Sequence, residues 1–276
     1  MKKILVPIDF SEHSEYAIKL AAKIADETKI EVHLLHLLEL PKGHVDMGSG
    51  SNFGIPQSMF YIQKIETEIL KLKKQFFNPN TVVKYAIRFE NPSNGIINFS
   101  TKINADLILM GSKERSVFDE LLIGTSINKR VVKKSNAPVL VIKNDPQDFN
   151  IKELVFSSNF NEDDKKSFEV LLDFSKKFGS KIHLLNVNTM NRFKSTKKAK
   201  QKMEAFLSGY QDLKHSINVY DDDSIENGII NFSNEVNADL IALSTHESSG
   251  IFRLFNKSVS KNLSKSSLKP VITFLI

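Results

Sequence analysis

The sequence contains no cysteine, and this absence excludes several classes of chemistry. A chain without thiols has no disulfide, no thiolate metal ligand, no iron–sulfur cluster and no cysteine nucleophile. It also lacks any run of 18 apolar residues of the kind that crosses a bilayer. The apolar stretch within residues 1–9 is too short for a secretory signal. We therefore expect a cytoplasmic protein with no membrane partner.

The excess of one charge sign is small. The 276 residues carry 38 basic and 32 acidic side chains, which gives a formal charge of +6. Such a balance by itself does not predict binding to nucleic acid. The length fits either one large domain or two of ordinary size.

The chain contains an internal repeat, which decides between those two options. The hexapeptide GIINFS at residues 95–100 recurs unchanged at 228–233, and NADLI follows it in both places. Across residues 95–109 and 228–242, 11 of 15 positions are identical at an offset of 133. We therefore predict two homologous domains, residues 1–144 and 150–276, called copy one and copy two below. The polar segment 144–148 is the predicted linker.

The spacing of the repeat also locates an insertion. Residues 32–36 match residues 182–186 at an offset of 150, so copy one carries about 17 extra residues before the GIINFS block. We place them in residues 41–56, where glycine, serine and proline concentrate.

Within each copy, short apolar runs alternate with longer amphipathic stretches. The pattern in copy one predicts strands at residues 3–8, 31–37, 82–87, 106–110 and 139–142, and helices at 12–27, 58–76, 92–102 and 125–134. Ser11 is a suitable N-cap for the first helix. The runs at 107–110 and 139–142 are apolar throughout, as in strands buried on both faces. The predicted fold is α/β, with two tandem open doubly wound domains, each a five-stranded parallel sheet flanked by about four helices.

Ligands of such sheets bind beyond the carboxyl ends of the strands, at the point where the strand order reverses. Pro7 and Asp9 lie at the end of the first strand without a glycine fingerprint, which argues against an NAD site and a P-loop. Gly111 leaves the fourth strand, and Gly124-Thr125-Ser126 open the next helix. These residues suit either a phosphate site at a helix N-terminus or an ordinary loop and helix cap.

Four segments together resemble the universal stress protein family, as two such domains in one chain. They are ILVPID at 4–9, LLH at 34–36, NADLILMG at 104–111 and APVLVI at 137–142. The resemblance implies a Rossmann-like fold of the adenine nucleotide α-hydrolase type and a regulatory role in stress response, with no catalytic residue assigned. The family comprises members that bind ATP and members that do not. The binders carry Gly, two residues, Gly, nine residues, then Gly followed by Ser or Thr.

Copy one retains most of that motif. It keeps Gly111, Gly124 and Thr125 at the required spacing but has Glu114 at the middle glycine. The resemblance assigns Asp9 to the adenine end of the nucleotide and Leu37 to the base. The remaining candidate binding residues of copy one are Pro7, Met110, Lys113 and Ser126.

Copy two retains little of the motif. Asn159 stands at the position of Asp9, and Ser244, Glu247 and Lys257 stand at the three glycines. Of the four motif positions only Ser258 survives. The resemblance therefore implies that copy two binds no nucleotide.

Glu114 leaves three functions open. A carboxylate about 4 Å from a phosphate oxygen costs roughly 1–4 kcal/mol at effective dielectrics of 80 to 20. Lys113 and Arg115 flank it, and a Mg²⁺ ion between carboxylate and phosphate would also offset the cost. In the first function, copy one binds ATP, ADP or AMP. In the second, the chain is a nucleotide-free module that acts through unknown protein partners. In the third, it is a slow ATPase. We expect no dedicated enzyme and no resident metal site.

Two further clusters and the last strands complete the predictions. Six cations lie between Arg192 and Lys202, and with only Phe193 among them they favour a solvated helix face over a nucleic-acid site. Residues 221–223 (DDD) favour a solvated turn before a helix over a metal cluster. The apolar last strand of each copy is a hazardous exposed edge. Universal stress domains pair through it, so the resemblance implies an intramolecular pseudo-dimer, with a homodimer of the whole chain also open.

Overall fold

The computed structural model describes residues 1–28, 30–39, 55–112, 127–147, 150–210, 212–245 and 269–275. Within these residues, copy one contains five strands, β1 (Lys3–Ile8), β2 (Glu31–Leu38), β3 (Val83–Phe89), β4 (Leu107–Gly111) and β5 (Val139–Ile142). Its helices are α1 (Glu12–Thr28), α2 (Ile55–Phe76), α3 (Pro92–Ile103) and α4 (Ile127–Lys134).

Copy two repeats this order. Its strands are β6 (Glu153–Ser157), β7 (Lys181–Asn188), β8 (His215–Asp221), β9 (Leu240–Thr245) and β10 (Val271–Leu275). Its described helices are α5 (Asp164–Phe178), α6 (Thr196–Leu207) and α7 (Ile225–Glu235), with a short 3₁₀ turn at Met190–Arg192.

All ten strands form one sheet, in the order β3-β2-β1-β4-β5-β10-β9-β6-β7-β8. Within each copy the strands are parallel, and the order reverses direction between the first and fourth strands. The two halves join where β5 and β10 run antiparallel, with Leu140 opposite Ile272. The predicted doubly wound α/β fold is confirmed. The predicted pairing of the last strands is present in the structure.

The helices cover the two faces of the sheet unequally. On one face, α1, α2, α5 and α6 share one continuous apolar cluster that runs from Ile4 and Ala17 in copy one to Phe168 and Ile272 in copy two. On the other face, α3 and α4 pack in one cluster and α7 packs in another. The two copies therefore share a core on one side of the sheet only. Among the described helices, none combines the length and hydropathy that a bilayer crossing requires.

The repeated NAD tripeptide has a structural role in both copies. Asn104, directly after α3, and Asn237, two residues after the end of α7, adopt left-handed backbone angles, φ 51° and 49°. Asparagine tolerates this conformation better than most residues. The aspartate then fixes the start of the first strand of the copy, because Asp106 accepts the backbone N–H groups of Lys2 and Lys3 at the start of β1. Asp239 accepts the equivalent groups of Lys152 and Glu153.

The glycine of the repeated GIINFS block marks a close approach between helix and strand. A Cβ on Gly95 would lie 2.6 Å from Leu37 Cδ2. Gly228 meets Val187 in the same way, and Val187 stands 150 residues after Leu37. The repeat therefore preserves how α3 and α7 sit on the second strand of each copy.

The extra length of copy one is divided between a loop and a helix. Residues 40–54, most of the predicted insertion 41–56, lie outside the described residues, whereas Ile55 and Pro56 begin α2. Helix α2 has 22 residues against 12 in its counterpart α6. The prediction that the loop alone holds the insertion is therefore wrong, because the amphipathic helix itself is longer.

Candidate functional site

A cleft opens at the carboxyl ends of β1, β2 and β4, where the strand order of copy one reverses. Its empty volume is about 610 Å³, solvent at the mouth included. The cleft is lined by five of the candidate residues predicted from the sequence, namely Pro7, Asp9, Leu37, Met110 and Gly111.

The other nominated residues of copy one are not placed. Lys113, Glu114, Gly124, Thr125 and Ser126 lie outside the described residues. The described part of the chain resumes at Ile127, and Ile127 and Asn128 in the first turn of α4 border the cleft. The N-terminal end of a helix carries partial positive charge, so this border favours a negatively charged group.

Asp9 is the titratable side chain among the described residues of the cleft. Its Oδ1 accepts the Ser11 hydroxyl at 2.5 Å and the Ser11 backbone N–H at 3.0 Å. Burial acts to raise the pKa of this carboxyl, but the hydrogen bonds from Ser11 outweigh it and hold the pKa below its ordinary 3.8. Asp9 is therefore ionised at neutral pH.

Ser11 links Asp9 to the start of α1. While its hydroxyl donates to Asp9, its Oγ accepts the backbone N–H of Ser14 at 3.3 Å, so the predicted N-cap is confirmed. Ser14 is buried and also lines the cleft. The intervening Phe10 has φ 63°, a left-handed value that is rare for an aromatic residue. This turn aims Asp9 and the first turn of α1 into the same space.

The walls of the cleft are mostly apolar. Leu35 and Leu37 come from β2, Pro92 and Ile96 from α3, and Met110 from β4. These side chains offer an apolar surface next to the single carboxylate. Such a combination suits a ligand with one hydrophobic ring and a few hydrogen-bonding groups.

Gly111 has a packing role that is independent of any ligand. A Cβ at this position would overlap the backbone carbonyl of His13 and lie 2.9 Å from Ser14 N. The end of β4 therefore passes directly against the backbone of α1. The carbonyl of Gly111 accepts the Asn128 side chain at 3.2 Å, which fixes α4 to the same point.

Several cleft residues escaped the sequence analysis, chiefly Ser14, Pro92, Ile96 and Asn128. Two of them, Ser14 and Pro92, lie in the first turns of helices whose start was predicted correctly. The topology could have identified these residues, because in a doubly wound domain the first turn of each helix after a strand faces the carboxyl edge of the sheet. Asn128 is harder to predict, because its side chain bonds the backbone carbonyl of Gly111, and every residue type has such a carbonyl.

Copy two has different chemistry at the equivalent edge. Asp164, 150 residues after Ser14, is buried and accepts the backbone N–H of Asn161 at 2.8 Å. The Asn161 side-chain oxygen in turn accepts Lys202 Nζ at 2.6 Å. Burial lowers the pKa of Lys202, and the nearby charge of Lys194 lowers it further. Ser244, which replaces Gly111, lies 3.4 Å from the Ser167 hydroxyl. Asn159 lies in the turn after β6, and Glu247, Lys257 and Ser258 lie outside the described residues.

The described residues hold no cluster of three His, Asp or Glu side chains with metal-binding geometry. The acidic run 221–223 makes local contacts instead. Asp221 accepts Asn188 Nδ2 at 3.0 Å, and Asp222 accepts Asn231 Nδ2 at 2.8 Å next to the N-terminus of α7.

Comparison with known proteins agrees with the sheet and its duplication. The model of the universal stress protein family matches residues 1–143 and again residues 152–274. A universal stress protein of Methanocaldococcus jannaschii is 33% identical over 154 residues, which cover 51% of this chain and 94% of that protein. A second one from the same organism is 31% identical over 143 residues, covering 51% of this chain and 82% of that protein.

Solved structures also match across both copies. The crystal structure of a universal stress protein from Archaeoglobus fulgidus superposes with a TM-score of 0.75 at 20% identity, covering 99% of this chain and 96% of that one. The likeness supports the fold of the whole ten-stranded sheet. With two matches to the family model that together span most of its length, this chain belongs to the universal stress protein family and carries two of its domains.

Proposed function

We propose that the cleft of copy one binds one adenine nucleotide and that copy two binds none. The observation that carries this proposal is the placement of an ionised Asp9 beside apolar walls at the carboxyl edge of β1, β2 and β4. A carboxylate accepts hydrogen bonds only, so its partner must donate. The exocyclic amine of adenine and the hydroxyls of ribose are such donors.

The shape of the cleft supports the same ligand class. Leu35, Leu37 and Ile96 supply an apolar surface for a purine ring, while Ile127 and Asn128 border the cleft at the start of α4. A ring placed against β2 would therefore direct its ribose and phosphates toward α4 and the connection that precedes it. Copy one also holds most of the net positive charge of +6, since residues 1–144 contain 20 basic and 15 acidic side chains.

The role we assign is binding and regulation rather than dedicated catalysis. Asp9 is held by Ser11 in its ionised form, so it is poorly suited to donate a proton to a leaving phosphate. No other titratable side chain borders the cleft among the described residues. A nucleotide bound here would act by stabilising copy one and the sheet that it shares with copy two.

The test is titration calorimetry of the full chain with ATP, ADP and AMP, each with and without Mg²⁺. We expect one site per chain. Asp9→Asn keeps the size of the side chain but removes its charge, and it should weaken binding about tenfold or more, as for loss of a charged hydrogen bond. The matched variant Asn159→Ala in copy two should bind like the wild type. Two sites per chain, or no heat with any of the nucleotides, would contradict the proposal.

A second candidate is a nucleotide-free interaction module. Gly111 favours it, because the packing against His13 explains this glycine without a phosphate. The same calorimetry separates the two candidates, since the module predicts no binding by either copy. Steady release of phosphate from ATP, lost in Glu114→Gln, would instead indicate an ATPase.

A further inference from the structure

The connection from β7 to α6 in copy two exposes two large apolar side chains at its tip. Met190 is 95% exposed and Phe193 is 72% exposed. They stand at the start and just after the end of the 3₁₀ turn Met190–Arg192. Exposed apolar side chains that occur singly are ordinary, so this pair on one turn is a candidate interaction surface.

Buried hydrogen bonds hold this connection in a fixed shape. Asn188, only 3% exposed, donates from Nδ2 to the Lys194 carbonyl at 3.1 Å and accepts the Lys194 N–H at 3.2 Å. Nδ2 also lies 3.0 Å from Asp221 Oδ1, which ties the connection to the end of β8. The backbone N–H of Arg192 closes the turn on the Thr189 carbonyl at 3.0 Å. Met190 and Phe193 are therefore held by a loop whose conformation is fixed by hydrogen bonds.

Cations surround the exposed tip. Arg192, Lys194, Lys197, Lys198 and Lys200 are all exposed, and residues 189–203 contain no acidic side chain. Among the described residues, none of these five takes part in an ion pair. The apolar stripe of α6, with Ala199, Met203 and Phe206, faces the core. The lysines are thus left free on the solvent side.

We propose that residues 189–202 form a docking surface for an anionic lipid bilayer. Met190 and Phe193 would enter the boundary between headgroups and acyl chains, while the flanking cations contact the anionic headgroups. Single-stranded nucleic acid would need a groove with successive aromatic platforms. This surface is a loop tip with one aromatic ring. The acidic run 221–223 lies next to this surface, since Asp221 at the end of β8 accepts Asn188 Nδ2.

This proposal concerns contact with the membrane surface, so it revises the expectation of no membrane partner without requiring a spanning helix. It is independent of nucleotide binding by copy one, because the two sites lie in different copies.

The test is co-sedimentation of the full chain with phosphatidylcholine vesicles, with and without phosphatidylglycerol. We expect binding to the anionic vesicles only, weakened by added salt. Lys197→Gln with Lys198→Gln should lower the affinity about 30-fold, at about fivefold for each lysine near an anionic surface. Met190→Ser with Phe193→Ser should lower it about a hundredfold, at about tenfold for each large apolar side chain withdrawn from water. Lys176→Gln with Lys177→Gln, an equal charge loss on exposed positions of α5, should leave binding unchanged.

The chain contains no tryptophan, so a single substitution gives a specific optical probe. In Phe193→Trp, anionic vesicles should shift the tryptophan emission to shorter wavelength, as expected for insertion. In Phe60→Trp, at a position that is 70% exposed in copy one, they should not. Absence of vesicle binding, or equal losses in the α5 control, would overturn the proposal. Binding to a single-stranded oligonucleotide in place of vesicles would overturn it in favour of nucleic acid.

Discussion

At the scale of single residues, Gly111 shows how a ligand motif and a packing requirement fall on one position. The sequence presents it as the first glycine of a phosphate-binding pattern. The structure adds that a side chain there would overlap the backbone of His13. Backbone atoms cannot move aside as side chains do, so the glycine is required even with an empty cleft.

Gly111→Ala should therefore destabilise the protein by about 2–3 kcal/mol or more, in the upper range for overpacking of a tight contact. Gly95→Ala is the matched control, because its added Cβ meets the flexible end of Leu37 and should cost less. Urea unfolding followed by circular dichroism measures both. Equal effects of the two substitutions, or a neutral Gly111→Ala, would show that α1 can move away from β4.

Asp9 links the cleft to the pH dependence of stability. Its pKa in the folded protein lies below the ordinary 3.8, so its ionised form favours folding. That contribution is fully present above the unfolded pKa and is lost as the pH falls below about 3.8 through the folded pKa. Wild type should lose stability faster than Asp9→Asn over this acidic window, in urea unfolding at a series of pH values. Parallel curves for the two proteins would exclude a role of the Ser11 hydrogen bonds in lowering this pKa.

At the scale of elements, prediction succeeded where burial imposes a pattern on the sequence. The strands β4 and β5 are apolar throughout because helices cover both faces, and their predicted positions agree with the structure to within one residue. At the edge of the sheet the prediction for β3 stopped at residue 87, whereas the strand continues to Phe89. Arg88 and Phe89 pair with β2 on one side only and remain exposed, so burial leaves no apolar pattern there.

The candidate site divides along similar lines. Asp9 and Gly111 follow strands with a strong signal, so their meeting at one edge could be predicted from topology alone. Ser14 and Asn128 contribute through hydrogen bonds to nearby groups, and such contacts leave no periodic pattern. The repeated NAD and GIINFS blocks indicated duplication correctly, and in both copies their asparagine and glycine serve backbone capping and close packing.

At the scale of the whole molecule, the apolar cluster shared by both copies couples their stabilities. Ile272 belongs to copy two, is fully buried, and packs in the cluster that contains Ile4 and Ala17 of copy one. A polar contact crosses the same boundary, since the N-terminal amine lies 3.7 Å from Asp173 of α5. The copies should thus respond together to damage on this face of the sheet.

Ile272→Ala should destabilise the protein by about 2–5 kcal/mol. It should also speed amide exchange in copy-one peptides from β1 and α1, measured by hydrogen-exchange mass spectrometry. Ile229→Ala is the control, because Ile229 packs in the separate cluster of α7 and should affect copy-two peptides alone. If the amide exchange rates of copy-one peptides stay unchanged in both variants, the two copies are energetically independent.

The antiparallel junction of β5 and β10 has a consequence for where the two proposed sites can act. Because each copy is parallel within itself, reversal at the junction points the strand ends of copy one and copy two toward opposite margins of the sheet. The cleft follows the strands of copy one, and the loop after Asn188 follows those of copy two. A chain resting on a bilayer through that loop would thus hold the cleft on its far side, open to solutes, so both sites can be occupied at the same time.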